Sequence, residues 1–315
     1  MARDLYQDVT DRILAALEAG TKPWECDWIR TGLPRRVTGE QYRGINILLL
    51  ALTQGECGYR SDTWMTFNQA KAFGAAVRKG ERGTPIVFFK RLERTEQDPE
   101  TGEDREIGIP MIRGYTVFNV DQIDGLPDRF YAAGPGELEP KLRDELAEAS
   151  IRSCGASIAE DGGDRAYYRP STDSIHLPAF DRFKSAGGFL ATMAHECVHW
   201  TGAPHRLDRT KGKAFGDVDY AFEELVAEIG AAMVCARLQI AGEHFDNHAA
   251  YVGSWLKVLR NDKRAIFRAA SLAQAAADMV LAKAGLEPAG DVAERPAPAP
   301  AAPAAAAPAL QLAFF

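Results

Sequence analysis

The stretch that most constrains the fold is TMAHECVHWTGAPHRLDR, residues 192–209. An H-E-x-x-H pattern does its chemistry on a helix, where positions i and i+4 lie one turn apart and two imidazoles can reach one cation. The flanking residues agree, because GGFLATMAHECVHWTG spaces Phe189, Met193 and Val198 along one helical face and ends on Gly202 as a stop. The chain therefore has to bury a helix that carries His195, Glu196 and His199, and bring a further ligand to it. A catalytic zinc site takes three protein ligands and keeps one position for water, whose proton the intervening Glu196 is placed to take.

Two sources compete for the third ligand. His205 completes the spacing H-E-x-x-H-x-x-G-x-x-H, yet Pro204 precedes it, RLDR follows at once, and Met233 and Met279 fall in expected helices, so no Met-turn is evident. The other source is acidic and lies on the next helix, AFEELVAEIGAAMVCARLQI, as Glu223, Glu224 or Glu228. Glu224 and Glu228 stand in an i, i+4 relation that suits a ligand and a residue orienting a ligand histidine. Leu225, Val226, Ile229 and Met233 give that helix a packing face, and carboxylates bordering it need a cation or hydrogen bonds. Glu224 is the favoured ligand; Glu223, Glu228 and His205 stay open.

With 315 residues, 46% hydrophobic and 26% charged, the chain can build two globular domains. MARDLYQDVTDRI lacks the apolar core of a signal peptide and INILLLAL is too short to span a bilayer, so a cytoplasmic protein without a membrane partner is expected. Cys26, Cys57, Cys154, Cys197 and Cys235 are odd in number and scattered, which argues against a disulfide framework and for apolar filler.

The element pattern is α+β. Residues 4–19 form an amphipathic helix with Leu5, Val9, Ile13 and Leu17 on one face. INILLLALTQGE is a buried helix, and TWMTFNQAKAFGAAVRKGERG reads as a helix capped by Thr66 or Asn68 and ended by Gly80. TPIVFFKRLER and GYTVFNVDQI have strand composition, with TEQDPETGEDREIG between them as a polar hairpin tip. A Gly/Pro-rich connector follows; then come a helix at 140–152, short strands in CGASIAE, RAYYRP and SIHLP around an STD turn, the motif helix, and three more helices. The expected division is a first domain at 1–126, a linker at 127–139, a second domain with a small sheet at 140–286, and a disordered Ala/Pro-rich tail at 287–315.

The net charge of −7 hides an uneven distribution: from Arg30 to Arg91, eleven basic residues face four acidic ones. This segment and the residues just before it interleave Trp24, Trp28, Tyr42, Tyr59, Trp64 and Phe67 with the cations, the combination used to hold single strands without reading sequence. Arg35, Arg36, Arg43, Lys71, Arg78, Lys79, Arg82 and Lys90 are the phosphate candidates.

Here a family resemblance becomes specific. HECVHWTGAPHRLDR followed by YAFEELVAEIGAAM, and preceded by AYYRPSTDSIHLPAFDRF, resembles the zincin-like metallopeptidase domain of the ArdC antirestriction proteins of conjugative plasmids. TWMTFNQAKAFGAAVRKGERGTPIVFFK with YTVFNVDQIDGLP is similar to the N-terminal domain of that family, which also stands at the front of plasmid-transfer primases. The resemblance covers roughly residues 5–285. It implies an N-terminal domain that binds single-stranded DNA and a peptidase-like domain with His195 and His199 as ligands, Glu196 as general base and Glu224 as third ligand. It does not depend on a histidine at position 205.

The expected function is therefore antirestriction: coating incoming plasmid DNA during conjugation, with a divalent metal, Zn2+ foremost and Mn2+ or another ion as alternatives. A protein substrate or restriction enzyme would be a second partner. Two rival readings remain: a DNA-dependent metalloprotease that acts on DNA-bound proteins, and a single-strand binder whose metal is structural.

Overall fold

The computed structural model describes residues 4–24, 32–97, 104–131, 140–209, 218–240 and 249–286. The expected tail, most of the connector, the hairpin tip at 98–103, and Cys26, Trp28 and Arg30 lie outside the described residues, as does the side chain of Lys90.

Helix α1 (Leu5–Glu18) starts on Asp4, whose carboxylate accepts from the amides of Tyr6 and Gln7, and it buries Val9, Ile13 and Leu17. Helix α2 (Ile45–Cys57) is buried almost all round, as its unbroken apolar run requires, and ends on Gly58 at a φ of 67°. Within it Asn46 exchanges two hydrogen bonds with the backbone of Val87, at 2.7 and 2.9 Å, which pins the helix to strand β4 (Thr84–Gln97). Strand β1 (Arg35–Arg36) lies parallel to β2 (Thr63–Met65), β2 pairs antiparallel with β5 (Asp104–Asn119), and β5 pairs with β4.

Two expectations need correction here. The strands of the hairpin are longer than their apolar stretches: the ladder runs from Thr84 opposite Val117 to Gln97 opposite Asp104. Backbone pairing does not need apolar side chains, and the register sets Glu96 opposite Arg105. The stretch expected to be one helix up to Gly80 divides into β2, a short helix α3 (Phe67–Ala72) and strand β3 (Ala76–Val77). Thr66 does cap it, with Gln69 closing a capping box. Gly74 at a φ of 75° ends it early, which frees Val77 to pair with Ile123 of strand β6 (Ile123–Asp124).

After the connector, α4 (Pro140–Arg152) leads into a three-stranded sheet ordered β7 (Ser157–Ala159), β9 (Ser174–His176), β8 (Tyr167–Arg169), with Asp173 at a φ of 50° in the expected turn. A polar chain ties this sheet to the preceding loop: Asp161 Oδ1 lies 2.6 Å from His176 Nδ1, and His176 Nε2 lies 2.9 Å from Ser174 Oγ. Tyr167 stacks on that imidazole and Thr172 occupies the Ser174 hydroxyl, so the chain acts as a tie. Helices α5 (Ala186–Thr201), α6 (Val218–Leu238), α7 (Ala249–Asn261) and α8 (Ala265–Leu281) complete the structure.

One hydrophobic core runs through both expected domains, from Ile13 and Leu17 through Trp24 and α2 to α5, α6 and α8. The seam carries specific contacts: Trp24 meets Trp255 edge to face at 5.6 Å, and Thr10 Oγ1 donates to the carbonyl of Lys263 at 2.8 Å. Cys154, Cys197 and Cys235 are buried, whereas Cys57 is exposed. Among the described residues, no helix is long and apolar enough to cross a membrane.

The approach of α6 to α5 positions the metal motif. Gly230 sits at that contact, and a methyl group there would lie 2.9 Å from Val198 Cγ2. Any side chain would push the helices apart, at a cost of about 1–3 kcal/mol for overpacking.

Candidate metal centre

Ser185 caps α5 by accepting from the Gly188 amide, and the helix presents His195 and His199 on one buried face towards α6. The two Nε2 atoms stand 3.1 Å apart. Glu224 reaches both from α6, with Oε2 3.7 Å from His195 Nε2 and Oε1 3.5 Å from His199 Nε2. Donors about 2.0–2.1 Å from a tetrahedral cation are separated by roughly 3.3–3.4 Å. The donor set His195, His199 and Glu224, all within 4.8 Å of one another, fits such an ion.

Behind these donors stand two further carboxylates of α6, Glu223 and Glu228. His199 Nδ1 lies 3.3 Å from Glu223 Oε1, and His195 Nδ1 lies 3.5 Å from Glu228 Oε1. Glu223 accepts from His199 Nδ1, which turns the Nε2 lone pair to the centre, while Glu228 stands by His195 Nδ1 as a charge partner without a hydrogen bond. The i, i+4 pairing of Glu224 with Glu228 was readable in sequence, but the role of Glu223 was not. Glu223 is itself clamped by buried Arg209, whose Nε and Nη2 donate to its two oxygens at 3.0 and 2.8 Å. Arg209 also donates to Thr201 Oγ1 and to the Val198 carbonyl at the end of α5.

This explains Gly202. Its φ is an ordinary −77°, so conformational freedom is not the reason; a Cβ there would lie 3.0 Å from Arg209 Nη2. The glycine stops the helix and makes room for the guanidinium. The same turn carries His205 away from the centre, with its side chain 64% exposed and Nε2 3.5 Å from Asp173. Neighbouring Arg206 folds back over the Trp200 ring at 3.9 Å.

Charge in the centre is one-sided. Glu196, Glu223, Glu224 and Glu228 are all buried, against one buried guanidinium, Arg209. Burial opposes charge on His199, but the carboxylates of Glu223 and Glu224 outweigh it and raise its pKa to about 10. Burial likewise favours a neutral Glu224, yet His195 and His199 hold it far below the usual carboxylate range. Without a metal, the surrounding carboxylates favour the protonated form of His199; a divalent cation would take the place of that charge.

At the rim, Tyr220 and Tyr251 bring their hydroxyls 3.5 Å apart. Burial first, then Tyr251 and the nearby Glu224 carboxylate, push the Tyr220 phenol up, so it stays a protonated donor. Neither tyrosine was singled out by the sequence pattern.

The eight phosphate candidates separate into classes. Arg35 is paired with Asp62 at 2.8 Å, Arg43 with Asp278 at 2.7 Å, and Arg78 with Glu81 at 2.8 Å. Arg36 is buried under the rings of Tyr42 and Phe88. Lys71, Lys79 and Arg82 are exposed and have no ion-pair partner among the described residues. Phe67, 55% exposed, lies edge to face with Phe118 in the same part of the chain. Trp24 and Trp64 are core.

Comparison with known proteins identifies the architecture. Residues 3–118 match the family described as the N-terminal domain of anti-restriction factor ArdC, and residues 145–272 match the zincin-like metallopeptidase family. The crystal structure of the antirestriction ArdC protein from the R388 plasmid, metal-free, superposes with a TM-score of 0.75 at 49% identity, covering 90% of this chain and 98% of that one. The chain belongs to the ArdC antirestriction family. An uncharacterized protein, y4eC, of Sinorhizobium fredii (strain NBRC 101917 / NGR234) is 43% identical over 89% of this chain and 92% of its own length. The DNA primase TraC of Escherichia coli is 42% identical over 89% of this chain, which spans only 27% of that protein.

The ArdC relationship also bears on the metal. The Mn(II)-bound ArdC structure from R388 matches at 47% identity and a TM-score of 0.75, covering 90% of this chain and 99% of that one. Together with the donor set here, this supports a divalent metal. Since His199 is protonated at neutral pH in the metal-free protein, metal must displace that proton, and affinity falls as pH drops. Titration calorimetry in two buffers of different ionisation enthalpy should register release of at least one proton per metal near neutral pH. An enthalpy independent of the buffer would contradict imidazole ligation.

Proposed function

We propose that this protein protects incoming plasmid DNA by holding single strands on its N-terminal part, without strong sequence preference, and that it carries a metal-dependent peptidase site in its second part. In this reading residues 1–126 and 140–286 are the functional units, joined through 127–139, and the protein works in the cytoplasm. The observation that carries the peptidase half is the convergence of His195, His199 and Glu224, each imidazole backed by its own carboxylate, beside buried Glu196. Glu223 and Glu228 serve the ligand imidazoles, as they would in a structural site, whereas Glu196 is neither ligand nor the carboxylate at an imidazole Nδ1. Two imidazoles and one carboxylate suit Zn2+, and the same donors accept Mn2+.

When bound, the cation supplies Lewis-acid polarisation and an acidified water. Glu196 takes the proton of the attacking water and passes it to the nitrogen of the leaving amine. Tyr220 and Tyr251, kept protonated at the rim, are placed to donate to the substrate carbonyl as charge develops on its oxygen.

For the DNA half, the support is the surface cations Lys71, Lys79 and Arg82, without ion-pair partners among the described residues, and exposed Phe67 on the same helix as Lys71, together with the DNA primase name of two relatives. Arg35, Arg36, Arg43, Arg78 and Lys90 complete the proposed set, with the paired arginines having to exchange a carboxylate for a phosphate.

Two variants separate the halves. Glu196→Gln should retain metal and strand binding and lose proteolysis by about 100-fold or more. If protection from restriction survives unchanged in that variant, strand occupancy and not cleavage is the protective act; if protection is lost, the protease reading is favoured. The triple variant Lys71→Ala, Lys79→Ala, Arg82→Ala should weaken binding to an oligonucleotide and reduce the slope of log affinity against log salt by about 0.7 for each phosphate no longer neutralised. An unchanged slope would remove these three residues from the interface.

A further inference from the structure

Between the N-terminal end of α2 and helix α8 lies a cavity of about 440 Å³, remote in chemistry from the metal centre. Its volume falls in the range of small-molecule sites, about 300–1,000 Å³. Arg36 lines it and is 7% exposed, with its guanidinium 5.4 Å from the Tyr42 ring and 5.5 Å from that of Phe88. Its Nη1 stops 3.6 Å short of Glu40, and its buried Nε has no hydrogen-bond partner. A buried guanidinium whose carboxylate partner stands 3.6 Å off is incompletely compensated, and an acceptor oxygen in the cavity it lines would supply a closer partner.

Three further features fix what that acceptor belongs to. First, α2 begins in the cavity wall on Gly44, which has no capping side chain of its own; its amide donates to Gln274 Oε1 at 3.3 Å, and the positive end of a thirteen-residue helix lies at the wall. Second, the one carboxylate among the lining residues is already committed: Asp278 is held by Arg43 at 2.7 Å, by Arg237 at 2.6 Å and by Gln274 at 3.1 Å. The lining therefore sets two arginines, Arg36 and Arg43, against this one carboxylate. Third, the opposite wall is aromatic, with Phe89 45% exposed and set edge to face against Phe267 at 6.0 Å. Cation and helix end call for a phosphate; the ring calls for a flat apolar group joined to it.

We propose that this cleft seats one nucleotide of a single DNA strand, with a phosphate on Arg36 and Arg43 at the start of α2 and the base against Phe89. The proposal rests on the single-strand reading above and gives it a place that the surface cations do not. The walls come from both halves of the chain, so a seated nucleotide bridges the seam between α2 and α8.

The test is fluorescence anisotropy of a labelled oligothymidylate on the full chain, with melting curves to check the fold. Arg36→Gln should weaken binding at least about tenfold and flatten the salt dependence. Ser271→Trp fills the cleft from α8 without removing a charge; it should weaken binding by a similar factor with an unchanged melting temperature. If Arg36→Gln fails to fold, Ser271→Trp decides alone. If the wild type binds and the folded variants bind equally well, the cleft is overturned while strand binding elsewhere stands. If the wild type binds no oligonucleotide, both the single-strand reading and the cleft assignment fall. A cleft that binds thymidine monophosphate while its variants leave strand affinity untouched would be a site for free nucleotide, and the assignment to a strand would be wrong.

Discussion

Everything in the second half of this protein turns on burying two imidazoles and four carboxylates between α5 and α6 with one arginine to offset them. Such an arrangement is expensive to desolvate, and breaking one member of a buried charge pair typically costs about 3–5 kcal/mol. The structure meets the cost locally. Arg209 neutralises Glu223, the imidazole Nδ1 atoms face Glu223 and Glu228, and Glu224 bridges the two Nε2 atoms. What remains after this pairing is a negative centre shaped for a cation, and it exists only because Gly230 lets the helices come close and Gly202 lets Arg209 come under them.

The N-terminal part depends on the same core. Trp24 against Trp255, Thr10 on the Lys263 carbonyl, and Arg43 on Asp278 fasten it to α7, α8 and the segment between them. Asp278 also holds Arg237 of α6, the helix that carries Glu224. The N-terminal half is thus fastened to the scaffold of the metal centre through one shared carboxylate. Two halves packed on one core keep the N-terminal part and the metal centre in fixed relation, which two independently tethered domains could not.

How much of this was legible in sequence follows from the range of each interaction. The motif helix was readable because i, i+4 spacing is local, and so was the pairing of Glu224 with Glu228 on one face of α6. Arg209 gripping Glu223 was not, because it joins a turn to a helix fourteen residues on and depends on where Gly202 lets the chain go. His205 had the right spacing and the wrong turn. The stretch from Thr63 to Gly80 reads as helical by composition, but Gly74 and the pairing of Val77 with Ile123 override propensity with tertiary structure. Charge was the least legible property: counting cations gives eight candidates, and only the folded chain tells the exposed Lys71, Lys79 and Arg82 from arginines already matched with carboxylates or buried under rings.

The most direct test of the account is X-ray absorption at the zinc edge of the stoichiometrically loaded full chain, which counts imidazoles and light-atom donors around the ion. The account predicts two imidazole nitrogens and a carboxylate oxygen, with one imidazole missing in each of His195→Ala and His199→Ala and the carboxylate missing in Glu224→Ala. A third imidazole in the shell, removed by His205→Ala, or a shell without imidazole, would contradict it.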